Sequence, residues 1–292
     1  MNQLTDHLLM IRPAHFGYNV ETADNNVFQQ RDDRIPPDVV EQRAREEFDG
    51  FVDKLRRHGI HVDVIEDTDT PVKSDAVFPN NWISLHEDGV VITYSMASPN
   101  RRLERREDIL QFLQSSYQVT RRYAFEQYED HGQFLEGTGS MVLDRQNKIV
   151  YACLSIRTDI RLLDKFCVLR GYDKVVFNAV SGGKPVYHTN VMMALGVEYA
   201  VVCLDCIPQA DQREQLVAAL EGSGKEIIAI TTEQLEAFAG NMLQVCSVNG
   251  EPYCVMSERA YQSLTADQIM RLERHNKLLF SSLETIETFG GG

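Results

Sequence analysis

The stretch Val186-Tyr187-His188-Thr189-Asn190 is the part of this sequence from which its fold can be worked out. Apolar residues continue from Val191 to Leu195, which predicts that the stretch stands at the start of a buried strand. The preceding residues, Ser181-Gly182-Gly183-Lys184-Pro185, are typical of a turn. A histidine at such a point, beside an amide, is suited to proton transfer near neutral pH. His188 is therefore a candidate catalytic residue, and a merely hydrogen-bonded histidine is the alternative.

The same layout recurs along the chain. A polar residue precedes a short apolar strand, a turn and a second strand at four positions, which are Asn81, Ser140, Asn190 and Asn241. A helix and a third strand complete the better-defined units, and a further step of similar size reaches Gly290-Gly291-Gly292. A repeat of about fifty residues predicts modules that bury their faces against one another.

Five such modules would close into a ring with their leading residues around the axis. The predicted fold class is α/β, a five-bladed α/β propeller built from pseudo-fivefold ββαβ-type modules, as a single catalytic domain over residues 1–292. Two sequential domains, or a chance recurrence of ββα units, are the alternatives. Two local predictions accompany this fold: residues 19–34 form a lid, and one helix runs from Arg101 to about Ser115.

Composition limits the functional classes. The chain has 292 residues, of which 43% are hydrophobic, and a net charge of −14, so nucleic acid and anionic membrane surfaces are excluded as partners. The first residues, Met1 to His7, lack the features of a signal peptide, and no stretch is apolar enough to span a bilayer. The six cysteines show no disulfide-framework spacing, which favours reduced thiols and a cytoplasmic location.

The residues at the module starts suit a planar polar small molecule. They are amides, one histidine and the carboxylate of Glu136, and their spacing is not that of metal ligands, so neither metal nor cofactor is predicted there. Several stretches resemble the guanidino-group-modifying (pentein) superfamily of arginine deiminases, dimethylarginine dimethylaminohydrolases and amidinotransferases, and look closest to its citrulline-utilising hydrolases. These stretches are Asp75-Ala76-Val77-Phe78-Pro79-Asn80-Asn81, Ser98-Pro99-Asn100-Arg101-Arg102-Leu103-Glu104, Leu135-Glu136-Gly137, Ser155-Ile156-Arg157-Thr158 and His188-Thr189-Asn190.

The resemblance implies a role for each matched residue. His188 would be the general acid/base, and Glu136 would orient it or the substrate. Arg102 and Arg157 would hold the α-carboxylate of an amino acid, for which a planar guanidinium is suited. Solvated charge for Arg102 and a salt bridge for Arg157 are the structural alternatives.

The nucleophile that the superfamily uses is a cysteine shortly after a C-terminal glycine-rich turn. Gly290-Gly291-Gly292 resembles the beginning of that turn, and the cysteine is expected just beyond Gly292. Without such a cysteine the chain would be a non-catalytic binding module. The internal cysteines fit less well, because most lie in predicted strands or helices.

Asparagines stand where arginine-processing members of the superfamily carry aspartates. Two aspartates hold a cationic guanidinium, whereas Asn81 and Asn190, with Asn80 beside them, can donate to the carbonyl oxygen of a neutral ureido group. The sequence therefore predicts hydrolysis of citrulline to ornithine, ammonia and carbon dioxide by covalent cysteine–histidine catalysis. An arginine deiminase, an arginine dihydrolase and an amidinotransferase are the alternatives, and a homo-oligomer is compatible with all of them.

Overall fold

The computed structural model describes residues 2–292, and its strands form several small sheets. The strands are β1 (His7–Arg12), β2 (His61–Glu66), β3 (Ile83–Leu85), β4 (Val90–Thr93), β5 (Arg121–Ala124), β6 (Val142–Asp144), β7 (Ile149–Cys153), β8 (Asp173–Phe177), β9 (Val180–Ser181), β10 (Lys184–Pro185), β11 (Met193–Leu195), β12 (Tyr199–Val202), β13 (Glu226–Ala229), β14 (Leu243–Cys246), β15 (Pro252–Ser257) and β16 (Lys277–Ser281).

Four of the sheets have the same topology. In β3-β4-β5, β6-β7-β8, β11-β12-β13 and β14-β15-β16, the first strand is antiparallel to the second and the second is parallel to the third. Strands β1 and β2 pair in parallel as a fifth, two-stranded sheet, and β9 and β10 form a short hairpin. The repeated module of the sequence analysis is therefore present, in a mixed α/β fold. The closure of five modules into a ring stays a prediction.

Helices connect the second and third strands of these modules, since parallel neighbours need a crossover. The α-helices are α1 (Pro37–Arg57), α2 (Glu107–Ser116), α3 (Gly137–Ser140), α4 (Ile160–Arg170), α5 (Thr189–Met192), α6 (Ala210–Gly222), α7 (Thr232–Glu236), α8 (Glu258–Ser263), α9 (Ala266–Glu273) and α10 (Glu284–Gly290). Short 3₁₀ helices lie at Pro79–Asn81, Pro99–Glu104, Glu126–His131 and Leu204–Cys206. From residue 2 to residue 292, no helix combines the length and apolarity that crossing a membrane requires.

The core lies on the middle strands of the modules. Ile92, Tyr151, Val201 and Cys254, one from each three-stranded sheet, are all 0% exposed. All four belong to the hydrophobic core, Ile92 in one cluster and the other three in a second. Helix α1 covers the β1–β2 sheet with one apolar stripe that includes Phe48.

The helical turns ahead of the first strands are the part of the fold that matters for function. Asn81 ends a 3₁₀ turn before β3, Ser140 ends α3 before β6, and Asn241 lies two residues before β14. Asn190 lies inside α5, before β11. The four residues thus occupy similar positions in the four modules, as the repeat predicts.

Two local predictions are wrong. Residues 189–192 form a helical turn and not the beginning of a strand, since Thr189 anchors that turn by donating through Oγ1 to the carbonyl of Ser140 at 2.6 Å. Buried apolar side chains such as Val191 fit a strand or a helical turn equally well, so the pattern could not separate them. The helix predicted from Arg101 to Ser115 is split into Pro99–Glu104 and α2, because Arg106 between them has an extended backbone.

Candidate active site

A cavity of about 100 Å³ lies where the leading turns of three modules meet the end of the chain. It is lined by Asn26, Asp75, Phe78, Asn80, Asn81, Arg101, Arg157, Tyr187, His188, Asn190, Val191, Asn241, Gly290 and Gly292. Of the residues predicted to form a site, the fold brings His188, Asn80, Asn81, Asn190 and Arg157 to this one cavity. Glu136 lies directly behind His188 and is fully buried.

His188 and Glu136 form a hydrogen-bonded pair. Nε2 of His188 lies 2.8 Å from Oε2 of Glu136, and the two residues are 3% and 0% exposed. An ionised carboxylate only accepts hydrogen bonds, so Nε2 carries the proton and Nδ1 is the nitrogen left to take up another. Glu136 therefore fixes both the orientation and the tautomer of the imidazole.

The charges around the pair favour a neutral imidazole beside an ionised carboxylate. Burial lowers the pKa of His188 to about 4 against the opposing effect of Glu136, and the cations Arg157 and Arg101 lower it further. Burial acts to raise the pKa of Glu136, but Arg157, His188 and Arg101 outweigh it and hold that pKa below its usual value. At neutral pH, His188 is thus ready to act as a base.

Arg101 fixes the orientation of the Asn81 amide. Its Nη1 donates to Oδ1 of Asn81 at 2.8 Å, while its other guanidinium nitrogens donate to Glu104. A guanidinium has no acceptor, so the Asn81 oxygen must face it and the Asn81 NH₂ group is left as a donor. Asn81 thus keeps an amide donor at a cavity that it lines.

Asp75 supplies an acceptor to the same cavity. Its Oδ2 accepts from Asn19 at 2.7 Å and lies 3.4 Å from Nε of Arg101. Its Oδ1 is buried without a hydrogen-bond partner among the described residues. An unpaired buried carboxylate oxygen is costly, and an N–H group of a bound molecule would satisfy it. The motif that begins at Asp75 was noted in the sequence, but its role at the site was missed.

Glycine is required where the turns meet. A Cβ on Gly139 would lie 2.5 Å from Nδ2 of Asn81 and 2.8 Å from Nδ1 of His188. Gly137 has a φ of +48°, and a Cβ there would lie 2.2 Å from the carbonyl oxygen of Asn80. The Gly137-Thr138-Gly139 sequence therefore permits the close contact that places Asn81 and His188 side by side.

Arg157 and Arg102 have different environments. Arg157 is 1% exposed, donates through Nε to Oδ1 of Asn25 at 2.9 Å, and lies 4.6 Å from the ring centroid of Tyr187. Arg102 is absent from the cavity lining: its Nε donates to the carbonyl of Met96 at 3.1 Å and lies 3.3 Å from Glu129. The sequence prediction paired Arg102 with Arg157 at one site, but the neighbouring Arg101 lines the cavity instead. Successive residues of a 3₁₀ turn point about a third of a circle apart, so only one of the two arginines can face it.

The loop of residues 19–34 and the end of the chain cover the cavity together. Asn26 donates through Nδ2 to the carbonyl of Gly290 at 2.9 Å, and the Tyr187 hydroxyl donates to the carbonyl of Gly291 at 2.5 Å. Asn25, from the same loop, accepts from Arg157. Gly290 and Gly292 themselves line the cavity, so the end of the described chain reaches the site.

None of the cysteines in the described chain lines this cavity. Cys153 is 0% exposed and burial raises its pKa to about 11, which is the environment of an inert thiol. Metal ligands are likewise not gathered here: among residues 2–292 the group of histidines and carboxylates close enough to share an ion is His7, His61 and Asp63, and none of them lines the cavity.

Comparisons with solved structures identify the class of the fold. Apo ArgZ, an arginine dihydrolase from the ornithine–ammonia cycle in cyanobacteria, matches with a TM-score of 0.73 at 16% identity, over 97% of this chain and 39% of ArgZ. The N-terminal domain of ArgZ bound to product gives a TM-score of 0.74 at 17% identity, over 97% of this chain and 93% of the domain. A dimethylarginine dimethylaminohydrolase variant in adduct with S-methyl-L-thiocitrulline gives 0.66 at 14% identity, over 99% and 97% of the two chains. The fold is therefore that of the guanidino-group-modifying superfamily, and these relatives are hydrolases of guanidino compounds.

The family follows from the sequence. The sequence model of the family described as "N,N dimethylarginine dimethylhydrolase, eukaryotic" matches residues 12–292, and the chain belongs to that family. Comparison with curated protein sequences found no match. The resemblance to the superfamily is thus confirmed, and the closer assignment to citrulline-utilising hydrolases stays a prediction.

Proposed function

We propose that this protein hydrolyses a C–N bond of a ureido amino acid by covalent catalysis, with citrulline as substrate and ornithine, ammonia and carbon dioxide as products. The observation that carries the choice of a ureido group is the orientation of Asn81. Because Arg101 occupies its oxygen at 2.8 Å, Asn81 offers donors to the cavity. A ureido carbonyl oxygen accepts hydrogen bonds, whereas a guanidinium only donates them.

His188 and Glu136 would carry the proton transfers. His188, kept neutral at pH 7 by burial, takes the proton of the attacking thiol through Nδ1 while Glu136 holds Nε2. The thiolate attacks the ureido carbon, and the same proton goes to the departing ammonia, which leaves a thiocarbamate. Water activated by His188 then cleaves the carbon–sulfur bond, and the released carbamate decomposes to the amine and carbon dioxide.

The attacking thiol is proposed to be a cysteine just beyond Gly292. Support comes from the position of Gly290 and Gly292 on the cavity that His188 lines, and from the buried environment of the internal thiol Cys153. Reading the gene beyond Gly292 tests this directly, and replacement of that cysteine by serine must abolish turnover. A non-catalytic binding module is the remaining alternative, and ammonia release from any ureido or guanidino amino acid rejects it.

Substrate entry would require the loop of residues 19–34 to move. The cavity of about 100 Å³ is well below the roughly 300–1,000 Å³ of small-molecule sites. We propose that Arg157, with the Asn80 and Asn190 amides nearby, receives the substrate after Asn25 releases its guanidinium, and that this guanidinium then holds the α-carboxylate. Arg102 lies outside the cavity lining, so it would hold the α-carboxylate only after a similar rearrangement.

Arginine dihydrolysis is the second candidate. The unpaired Oδ1 of Asp75 suits the N–H groups of a guanidinium as well as those of a urea. The likeness to the N-terminal domain of ArgZ, whose parent enzyme is an arginine dihydrolase, favours the same alternative. The substrate that yields ornithine separates the two: a citrulline hydrolase forms ornithine from citrulline, with one ammonia, whereas an arginine dihydrolase forms ornithine from arginine, with two.

The architecture of the site supports one further proposal. The leading turns of three modules meet at one cavity, which is what a ring of modules around a common axis would give. We therefore keep the five-bladed arrangement, with residues 1–292 as one catalytic domain, as the proposed architecture. Superposition of the modules by successive rotations of about one fifth of a turn is its test.

A further inference from the structure

His7, His61 and Asp63 form a cluster that belongs to no part of the proposed active site. Each of the three offers one ligand atom, and these atoms all lie within 4.8 Å of one another. We propose that this cluster binds a divalent transition-metal ion of the zinc type, which joins strands β1 and β2.

The sheet register places the three residues on one face. In the parallel β1–β2 pair, His7 is opposite His61 and Leu9 is opposite Asp63. Alternate residues of a strand share a face, so His7 and Leu9 point one way, and their partners His61 and Asp63 point the same way. The three side chains therefore come together because of the pairing and not because of an exposed loop.

This face is otherwise apolar. Leu9, Ile11 and Ile65 continue it and pack against residues of helix α2. The apolar pattern is interrupted by the paired histidines at the amino-terminal end of the two strands and by Asp63, the next residue of β2 on this face. Apolar side chains at positions 7, 61 and 63 would continue the packing against helix α2. Two imidazoles and a carboxylate stand there instead, which indicates that these three positions have a role other than packing.

Two distances within the cluster are close to those between ligands of a tetrahedral zinc ion. Nε2 of His7 is 3.0 Å from Oδ2 of Asp63, and Nε2 of His61 is 3.3 Å from Oδ1 of the same residue. Ligand atoms about 2.0–2.2 Å from one zinc ion lie roughly 3.3–3.5 Å apart. Each imidazole nitrogen is thus at about that separation from an oxygen of Asp63, and the ligand atoms, all within 4.8 Å of one another, would draw together around the ion. Imidazole nitrogens favour zinc, nickel, copper or cobalt over calcium and magnesium.

Tyr117, just after helix α2, contacts two members of the cluster. Its hydroxyl lies 2.7 Å from Nε2 of His7 and also donates to Asp63. The fourth coordination position is therefore either the Tyr117 oxygen or a water that replaces its hydrogen bonds. The side chains of His7, Asp63 and His61 are 34%, 21% and 55% exposed, so an ion can reach them from solvent.

Cobalt(II) titration of the purified chain at pH 7.5, after treatment with a chelator, tests the proposal. We expect one equivalent to give the visible absorption bands of tetrahedral cobalt without a thiolate charge-transfer band, and zinc to displace it. The substitutions His61→Gln and Asp63→Asn should each weaken binding by roughly tenfold or more, since one of three protein ligands is lost. Zinc should raise the melting temperature of the parent chain and not that of the His61→Gln variant.

His275→Gln is the matched control. His275 also lies between two carboxylates, at 2.8 Å from Glu226 and 3.4 Å from Glu198, but it has no second imidazole beside it. It should leave the cobalt spectrum and the zinc-dependent melting temperature unchanged. Equal metal affinity in the parent and in both cluster variants, or a spectrum dominated by thiolate charge transfer, would overturn the proposal.

Discussion

Substitution of Asn81 by aspartate changes the one group on which the choice of substrate depends. Asn81 is 4% exposed, and its oxygen accepts a hydrogen bond from Arg101, so its NH₂ group is the part that can donate to a substrate. Aspartate removes a donor to a carbonyl, worth about 1 kcal/mol, and adds a charged acceptor for a guanidinium, worth about 1.5–3 kcal/mol. Both effects favour arginine over citrulline. Arg101 neutralises part of the new charge, so roughly 1.5–3 kcal/mol of this shift in preference should remain.

The measured quantity is the ratio of kcat/KM for citrulline to kcat/KM for arginine, in the active gene product with any residues its gene encodes after Gly292. At 1.4 kcal/mol per tenfold, Asn81→Asp should shift this ratio toward arginine by roughly 10- to 100-fold. The ratio is used because an added negative charge near His188 also raises its pKa and changes every rate. Asn81→Ser, which loses the amide without adding charge, should lower citrulline turnover without improving arginine. A ratio that stays constant in Asn81→Asp, or that moves equally in Asn81→Ser, refutes the reasoning.

Three other predictions follow from buried charge. Burial raises the pKa of Glu287 to about 7, so the folded state binds its proton more tightly than the unfolded state does and stability is lost as pH rises from about 4.5 to 7. Glu287→Gln should therefore raise the melting temperature at pH 8 and change it little at pH 4.5. The control Glu284→Gln, at an exposed residue, should leave the melting temperature unchanged at both pH values. The pKa of His188 is lowered to about 4, so the unfolded state binds more protons than the folded state between pH 4 and 6.5. The free energy of unfolding should therefore fall by about 3 kcal/mol as pH drops through that window. Denaturant titrations in which the His188→Gln variant shows the same pH dependence of unfolding as the parent would contradict this. Glu136→Gln should lower kcat by roughly 10²–10⁴-fold with a small change in KM, and a larger effect on KM would indicate a role in substrate binding instead.

Much of the fold was predictable because hydrophobic period and turn residues act locally. The recurring strand pairs, such as β6–β7 and β14–β15, follow from such patterns. The third strand β5 was missed, since Arg121 and Arg122 in it are exposed and carry no apolar alternation. The turn at residues 189–192 was misassigned because it is fixed by a hydrogen bond to Ser140, a residue in another module.

The site was predictable in its residue types and not in its contacts. His188, Glu136 and Asn81 were found from their motifs, but the pairing of the Asn81 oxygen with Arg101 depends on two segments meeting in space. The same holds for Asp75, whose unpaired oxygen becomes meaningful only once the cavity beside it is known. Which of two adjacent arginines faces inward was likewise decided by a 3₁₀ turn that the sequence pattern did not reveal.

The most direct test of the central claim is which of the two amino acids the protein converts to ornithine and ammonia. The active gene product should be incubated with citrulline and with arginine, and ornithine and ammonia should be quantified against a His188→Gln variant. We expect citrulline to give ornithine and ammonia faster than arginine does, and the His188→Gln variant to give neither product. Faster formation of ornithine from arginine than from citrulline, citrulline turnover that survives in His188→Gln, or the absence of ammonia from both substrates would contradict the claim.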